Sequence, residues 1–468
     1  MGITKSIRLA TAFGVAASFI GLATTVQPPV AVAATAATPV GMPDGVPPAA
    51  VRPEARLPVP SGWAAPDQFS RTSGTGRYAK GAYEWTDFLY DDHGATGTVV
   101  AAPVAGLAPP RGTYVYPAGA AHGNGADIFR IGVAATKTGT SWRVDWTTLD
   151  DPNLPVIAFA VDSDGNPTTG GSSWGAGSGL TSNGIDHVLI VSSQGAWVTD
   201  VATQQSVALG AAAVSVTHDP SRAMGSFVAR VPTAALPALS GRWTIRAASG
   251  LATADGRNFA PVPPTNGALP GEPAVYDFGF DPITNEPAAD NLWMESTQAQ
   301  ALMTGDATAF ATVVDWDTAR HQTTTPEPFV TGPSNRWYVS SIELGKGVVA
   351  DASDSPAGDI RPNFLGRVQP YAVYVPTTYN PANATPLTWL LHSLGVQHNQ
   401  YVSINPNLIR QACETRGSIC ATTLGRGPDG WYYEAAELDF WEVWHALAAS
   451  YHLDPDRTVL SGYSMGGW

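Results

Sequence analysis

The sequence predicts a multidomain protein: an N-terminal β-sandwich followed by an α/β domain with a mostly parallel sheet. Three observations carry this reading. Residues 63–262 are filled with short apolar runs bounded by Gly, Pro, Asp and Asn, with no convincing helix among them. From residue 361 the pattern changes to buried strand-like runs separated by an amphipathic helix. The chain has 468 residues, with 48 Gly, 39 Pro and only 14% charged residues, so it exceeds one ordinary domain and suits turn-rich β structure.

The first residues predict export. Lys5 and Arg8 precede the apolar stretch Leu9–Ala23, and Ala31-Val32-Ala33 offers a small-residue cleavage site, so residues 1–33 are read as a signal peptide. A membrane anchor is the weaker reading, because about 15 apolar residues fall short of the roughly 20 that a span needs. The chain without these residues keeps 23 basic against 39 acidic residues, a net charge of −16. That acidity argues against nucleic acid or an anionic membrane surface as partner. Residues 34–62 carry Pro39, Pro43, Pro47, Pro48, Pro53, Pro58 and Pro60 and predict an extended Ala/Pro-rich linker.

Eight strands are expected in the sandwich, at 98–104, 113–116, 127–133, 142–146, 155–161, 187–192, 226–231 and 243–247. Asp162 and Asp164, in an Asp-Ser-Asp-Gly-Asn loop, and Asp186 are weak calcium candidates. With so few local acids, an Asx-rich turn is the preferred reading and no metal or cofactor is expected. Trp85, Trp142, Trp146, Trp174 and Trp197 are either core or sugar-stacking platforms, with core favoured. The run from GTYVYPAG through ADIFRIGV to VDSDGNPTTGG resembles the β-domain at the C-terminus of glucodextranases. The resemblance implies an accessory domain with a glycan or cell-surface ligand.

Residues 263–360 are read as a connector, with a helix in 290–310 and a strand pair in 337–349. The α/β domain over 361–468 is expected to hold strands at 366–376, 385–395, 418–423 and 457–462. A helix with Leu438, Trp441, Trp444, Ala448 and Tyr451 at helical spacing precedes the last of them. Cys413 and Cys420 share one short loop, and in an exported chain a disulfide is expected between them.

The chemistry concentrates at Gly462-Tyr463-Ser464-Met465-Gly466, a G-x-S-x-G sequence after an apolar β-branched run. That pattern is a nucleophile elbow, which sets a serine hydroxyl on a sharp strand-to-helix turn. Ser464 is the candidate nucleophile and the Met465 amide one oxyanion donor. The loop after PLTWLLHSLG would give the second donor, from Ser393 or Leu394. His392 is expected to shape that loop and not to act as base. Trp431, Tyr432 and Tyr433, after a glycine-rich loop, are candidates for the rim of an acyl pocket, with plain loop packing equally open. Glu434, Glu437 and Asp439 are read as charges favoured by a helix N-terminus.

RVQPYAVYVPTTYNP, PLTWLLHSLG, LGRGPDGWYYEAAELDFWEVWHALA and LDPDRTVLSGYSMGG together resemble secreted α/β-hydrolases related to polyhydroxybutyrate depolymerases, feruloyl esterases and prolyl-oligopeptidase-like peptidases. The resemblance implies the first half of an α/β-hydrolase domain and attack by Ser464 on an ester or peptide substrate through an acyl-enzyme. In that fold the acid and histidine follow the nucleophile, whereas all nine histidines here precede Ser464. The expectation is therefore that the triad is incomplete in this chain and that the 468-residue chain is inert. A rival expectation from another class is a non-catalytic surface-binding protein acting through the sandwich.

Overall fold

The structure, a computed structural model, describes residues 40–47, 52–92, 125–221, 224–237, 239–262, 273–282, 298, 301–302, 304–351 and 361–468. The signal peptide, the strands expected at 98–104 and 113–116, and most of the helix expected in 290–310 lie outside these residues. Among the described residues no helix is long and apolar enough to cross a membrane.

Among the described residues fifteen strands precede the second domain, and thirteen of them form the two sheets of the sandwich. In chain order these are β1 (Thr75–Ala79), β2 (Ala82–Thr86), β3 (Ile128–Ala135), β4 (Gly139–Trp146), β5 (Pro155–Asp162), β6 (Gly171–Ser173), β7 (Thr181–Ile185), β8 (His187–Ser192), β9 (Gly195–Asp200), β10 (Ser206–Ala208), β11 (Val214–Asp219), β12 (Met224–Pro232), β13 (Arg242–Leu251), β14 (Asp277–Gly279) and β15 (Thr312–Asp315). One sheet runs β1-β2-β3-β4-β12-β11; the other runs β10-β9-β8-β5-β13-β14, with β15 also on β13 and β6-β7 a separate hairpin. All these pairings are antiparallel, and short turns join most neighbours. The inner faces meet in a core that includes Trp142, Trp146, Phe159, Phe227, Trp243 and Trp316. Trp85, Trp142, Trp146 and Trp174 are buried and Trp197 is half-buried, so these rings serve packing.

The stretch 263–360 does not form a separate connector. β14 and β15 complete the second sandwich sheet, while β16 (Gly332–Val339) opens the next domain. β17 (Val348–Asp351) pairs with β18 (Arg361–Phe364), not with β16. Single strands of three or four residues carry too little alternation to be read from sequence.

The second domain is one five-stranded sheet, adding β19 (Val368–Val375), β20 (Thr385–Leu391), β21 (Ile419–Thr423) and β22 (Leu453–Gly462), in the order β16-β19-β21-β20-β22. β20 is parallel to β21 and β22, but β19 is antiparallel to β16 and β21. The expected mostly parallel sheet is thus a mixed one, and the chain as a whole is dominated by antiparallel pairing. The helix Ala435–Ser450 lays Val443, Trp444 and Leu447 on this sheet, against Trp389, Tyr371 and Tyr338. Its buried stripe is one step removed from the expected one: Leu438, Trp441 and Ala448 are half-buried. It ends at Tyr451, earlier than the Asp454-Pro455 stop.

The Ala/Pro-rich linker is not free. Met42 sits in the core of the second domain, and the Trp444 indole donates to the Gly41 carbonyl at 3.1 Å. Trp337 of β16 joins the two domains: its indole donates to the Ser70 carbonyl, its ring meets Phe129 edge-on at 4.9 Å, and the Arg71 guanidinium lies 4.1 Å above it.

Candidate active site

Parallel pairing of β20 and β22 aligns Leu391 with Gly462, so the loops leaving both strands emerge at one edge of the sheet. After Gly462 the backbone is extended at Tyr463 and turns at once into the 3-10 turn Ser464–Gly467. Ser464 takes φ +53°, a conformation that non-glycine residues rarely hold and that costs about 1–3 kcal/mol. Both flanking glycines are required sterically. A Cβ on Gly462 would fall 2.0 Å from the Gly466 oxygen, and one on Gly466 would fall 2.2 Å from the Leu391 oxygen. Ser464 is exposed, and among the described residues no side chain hydrogen-bonds its hydroxyl.

The loop after β20 is tied to this turn. The Ser393 hydroxyl donates to the Tyr463 carbonyl at 3.0 Å, and the Tyr401 hydroxyl donates to the Leu391 carbonyl at 2.7 Å. Gln400 clamps the loop: its Oε1 accepts the Ser393 amide at 2.7 Å and its Nε2 donates to the Ser393 hydroxyl at 3.3 Å. Of the two candidate donors in this loop, the Ser393 N–H is therefore committed to Gln400. The Leu394 amide is the other candidate. Met465, buried behind Ser464, carries its amide in the first turn of a helix, where backbone N–H groups lack intrahelical acceptors.

His392 is fully buried. Its Nδ1 faces the Ser393 carbonyl at 3.0 Å and its Nε2 the Leu424 carbonyl at 2.9 Å. Both ring nitrogens lie against backbone carbonyls and no hydrogen bond joins either to Ser464, so His392 joins the two loops and is not placed as base. Burial pushes its pKa down; the same cause, with His392 nearby, brings His398 down to about 3.

The glycine-rich loop after β21 packs beside this one: Gly395 N–H donates to the Pro428 carbonyl, and the Tyr432 hydroxyl accepts the His392 amide at 2.8 Å. Arg426, Trp431, Tyr432 and Glu434 all have φ between +51° and +65°, a second concentration of backbone strain. Tyr433 and the Trp431 edge are exposed there. Asp439 is not the exposed helix-end charge that sequence suggests. It is buried, accepts hydrogen bonds from Tyr338, Thr423 and the Gly425 amide, and pairs with Arg426 Nε at 3.2 Å. Arg426 also donates to the Gly366 carbonyl and the Ser340 hydroxyl, so it holds the strained loop from beneath.

Two further sites lie apart from the elbow. Cys413 and Cys420 are disulfide-bonded, joining the turn Arg410–Glu414 to β21. Oxygens of Asp162, Asp164 and Asp186 come within 4.8 Å of one another. Loop groups occupy them: Gly165 N–H on Asp162, Asn166 N–H and Thr169 on Asp164, and Ser163 on Asp186. Gln400, Tyr401 and Arg426 were not singled out from sequence, because isolated polar residues in loops carry no spacing signal.

No family model and no curated protein matches the chain. Among solved structures it is similar to a ferulic acid esterase of Anaeromyces mucronatus, at 15% identity and TM-score 0.20 over 30% of this chain and 53% of that one. It is also similar to a thermostable esterase (12% identity, 72% and 70% covered, TM-score 0.20) and to oligopeptidase B of Trypanosoma brucei (10%, 73% and 57%, TM-score 0.22). The chain thus spans about half the length of the ferulic acid esterase. These neighbours are esterases and peptidases, but at such TM-scores the likeness carries no weight beside the geometry of the site.

Proposed function

We propose that the chain carries the nucleophile and oxyanion loop of a serine hydrolase acting on carboxylic esters. The single observation behind the reading is the strained Ser464, held at φ +53° between two glycines whose Cβ atoms would collide with backbone oxygens. Backbone strain of this kind survives only where surrounding structure enforces it, and here it lifts one hydroxyl off the sheet edge. Ser464 Oγ attacks the acyl carbonyl, and the oxyanion is met by the Leu394 and Met465 amides; the alcohol leaves and water later cleaves the acyl-enzyme. The proton of Ser464 goes to a base other than His392, whose ring is buried against two backbone carbonyls. Export belongs to the proposal as well, and the Cys413–Cys420 disulfide fits an oxidising compartment.

The test is fluorophosphonate labelling of the protein isolated from its source, followed by mapping of the modified peptide. A label on Ser464, absent after Ser464→Ala, is the expected outcome. A label on another serine, or labelling that survives Ser464→Ala, refutes the assignment. Parallel assays on matched ester and amide substrates test the choice of ester.

A further inference from the structure

A second concentration of chemistry lies where the two sandwich sheets meet at one end, remote in sequence from the elbow. Asp87 follows β2, Asp91 lies in the loop beyond it, Asp127 immediately precedes β3, and Asp277 begins β14. All four are buried. Carboxylate oxygens of Asp91, Asp127 and Asp277 lie within 4.8 Å of one another. Such grouping disfavours ionised carboxylates unless a cation or shared protons offset the charge.

Local bonds hold these groups in place, and Asp277 keeps one buried oxygen without a partner. Asp277 Oδ2 accepts the Ile128 amide at 2.8 Å, while its buried Oδ1 has no partner. Asp87 Oδ1 accepts the Phe88 amide, and its carboxyl lies against the buried Asp281 carboxyl. Asp127 accepts the Asp91 amide and the Thr147 hydroxyl. Among the described residues, neither Asp87 nor Asp277 forms an ion pair.

An independent group points the same way. Gln298 is 1% exposed, and its Nε2 donates to the Asp91 carbonyl at 2.8 Å, which sets the carboxamide against the cluster. Its Oε1 is buried there with no partner. A buried neutral oxygen left without a donor, on a side chain that bonds the Asp91 backbone, suits a hard cation better than a further anion.

We propose that Asp91, Asp127 and Asp277, together with Gln298 Oε1, bind one Ca²⁺ ion that clamps the two sheets of the sandwich. An all-oxygen set of carboxylates and a carboxamide is the donor chemistry calcium takes, and Asp87 contributes charge alongside. Burial, and then the neighbouring acids, push Asp87 and Asp277 well above the ordinary carboxylate range when no cation is present. The clamp would tie β3 of one sheet to β14 of the other through residues that side-chain packing alone does not explain.

Tb³⁺ serves as the probe, because the Trp85 indole lies 3.5 Å from Asp87 Oδ1 and can sensitise its luminescence. Applied to the whole chain, it is expected to give one saturable site, competed by Ca²⁺, with a melting temperature that falls on chelation. Asp127→Asn and, separately, the uncharged change Gln298→Leu are expected to weaken binding, the former by about a hundredfold or more. Asp162→Asn, at the end of β5, is expected to leave it unchanged. Metal analysis of unmutated protein dialysed from Ca²⁺ gives a readout independent of how the variants fold. Absence of stoichiometric metal together with no Tb³⁺ signal overturns the proposal in favour of shared protons. So does a single site that survives Asp127→Asn and Gln298→Leu but is lost in Asp162→Asn.

Discussion

The Cβ that Gly466 lacks would stand 2.2 Å from the carbonyl oxygen of Leu391. The contact is with backbone at the end of β20, which cannot swing aside as a side chain would. Gly466→Ala is therefore expected to lower stability by roughly 1–3 kcal/mol, towards the upper end, and to abolish labelling of Ser464. Chemical denaturation and fluorophosphonate labelling measured on one preparation check both. A variant with unchanged midpoint and full labelling contradicts the geometry of the turn.

The buried Asp439–Arg426 pair underlies the strained glycine-rich loop. Breaking it from one side leaves buried Arg426 with only the looser Glu442 contact at 3.8 Å, so Asp439→Asn is expected to cost about 3 kcal/mol. Urea unfolding provides the measurement, and a cost below roughly 1 kcal/mol would place Asp439 outside the network.

Glu84 is buried in β2, and its pKa is raised to about 8, chiefly by desolvation. The unfolded chain releases this proton near pH 4.5, whereas the folded chain keeps it until about 8. Unfolding thus releases a proton throughout that window, so Glu84 costs the fold progressively more as pH rises from about 4.5 to 8. Glu84→Gln removes this dependence. The difference in melting temperature between variant and parent is expected to shift in the variant's favour from pH 5 to pH 8. A constant difference across that range would show that Glu84 does not titrate as described.

The Cys413–Cys420 bridge closes a short loop, with a sequence separation of 7 residues. Loop-closure entropy for that length gives about 2.5 kcal/mol of stabilisation. Reduction is expected to lower the melting temperature, and alkylation without prior reduction is expected to leave both cysteines unmodified. Modification of both thiols in unreduced protein would remove the bridge from the account.

How much of this was legible in sequence follows from where each constraint is written. The elbow was readable because five adjacent residues encode its steric demand: a serine in a strained conformation and glycines where Cβ atoms do not fit. The strands at β5, β8, β12, β13 and β19 were readable because each carries a short apolar or alternating run. The mixed sheet was not, because strand direction depends on the connections and not on composition. The role of Asp439 was hidden, since a helix-end acid looks the same whether it faces water or Arg426. The aspartate cluster was out of reach for a related reason: Asp87 and Asp277 approach only once both sheets have formed. Short strands such as β14 carried no period, so the stretch containing them read as a connector.

The seating of Met42 among Trp444, Leu447 and Leu453 bears on how the chain can be divided. A cut before β16 would separate the sandwich from the α/β sheet by sequence, yet it would also remove Met42 and expose the apolar surface beneath it. The excised piece would keep every strand of its sheet and still lack part of its interior. Residues 40–47 leave the ribosome long before Leu453 is made, so this contact closes a loop of about four hundred residues and forms late. The two domains are thus distinct in architecture but not separable as modules: one thread from the start of the chain is woven into the end of it.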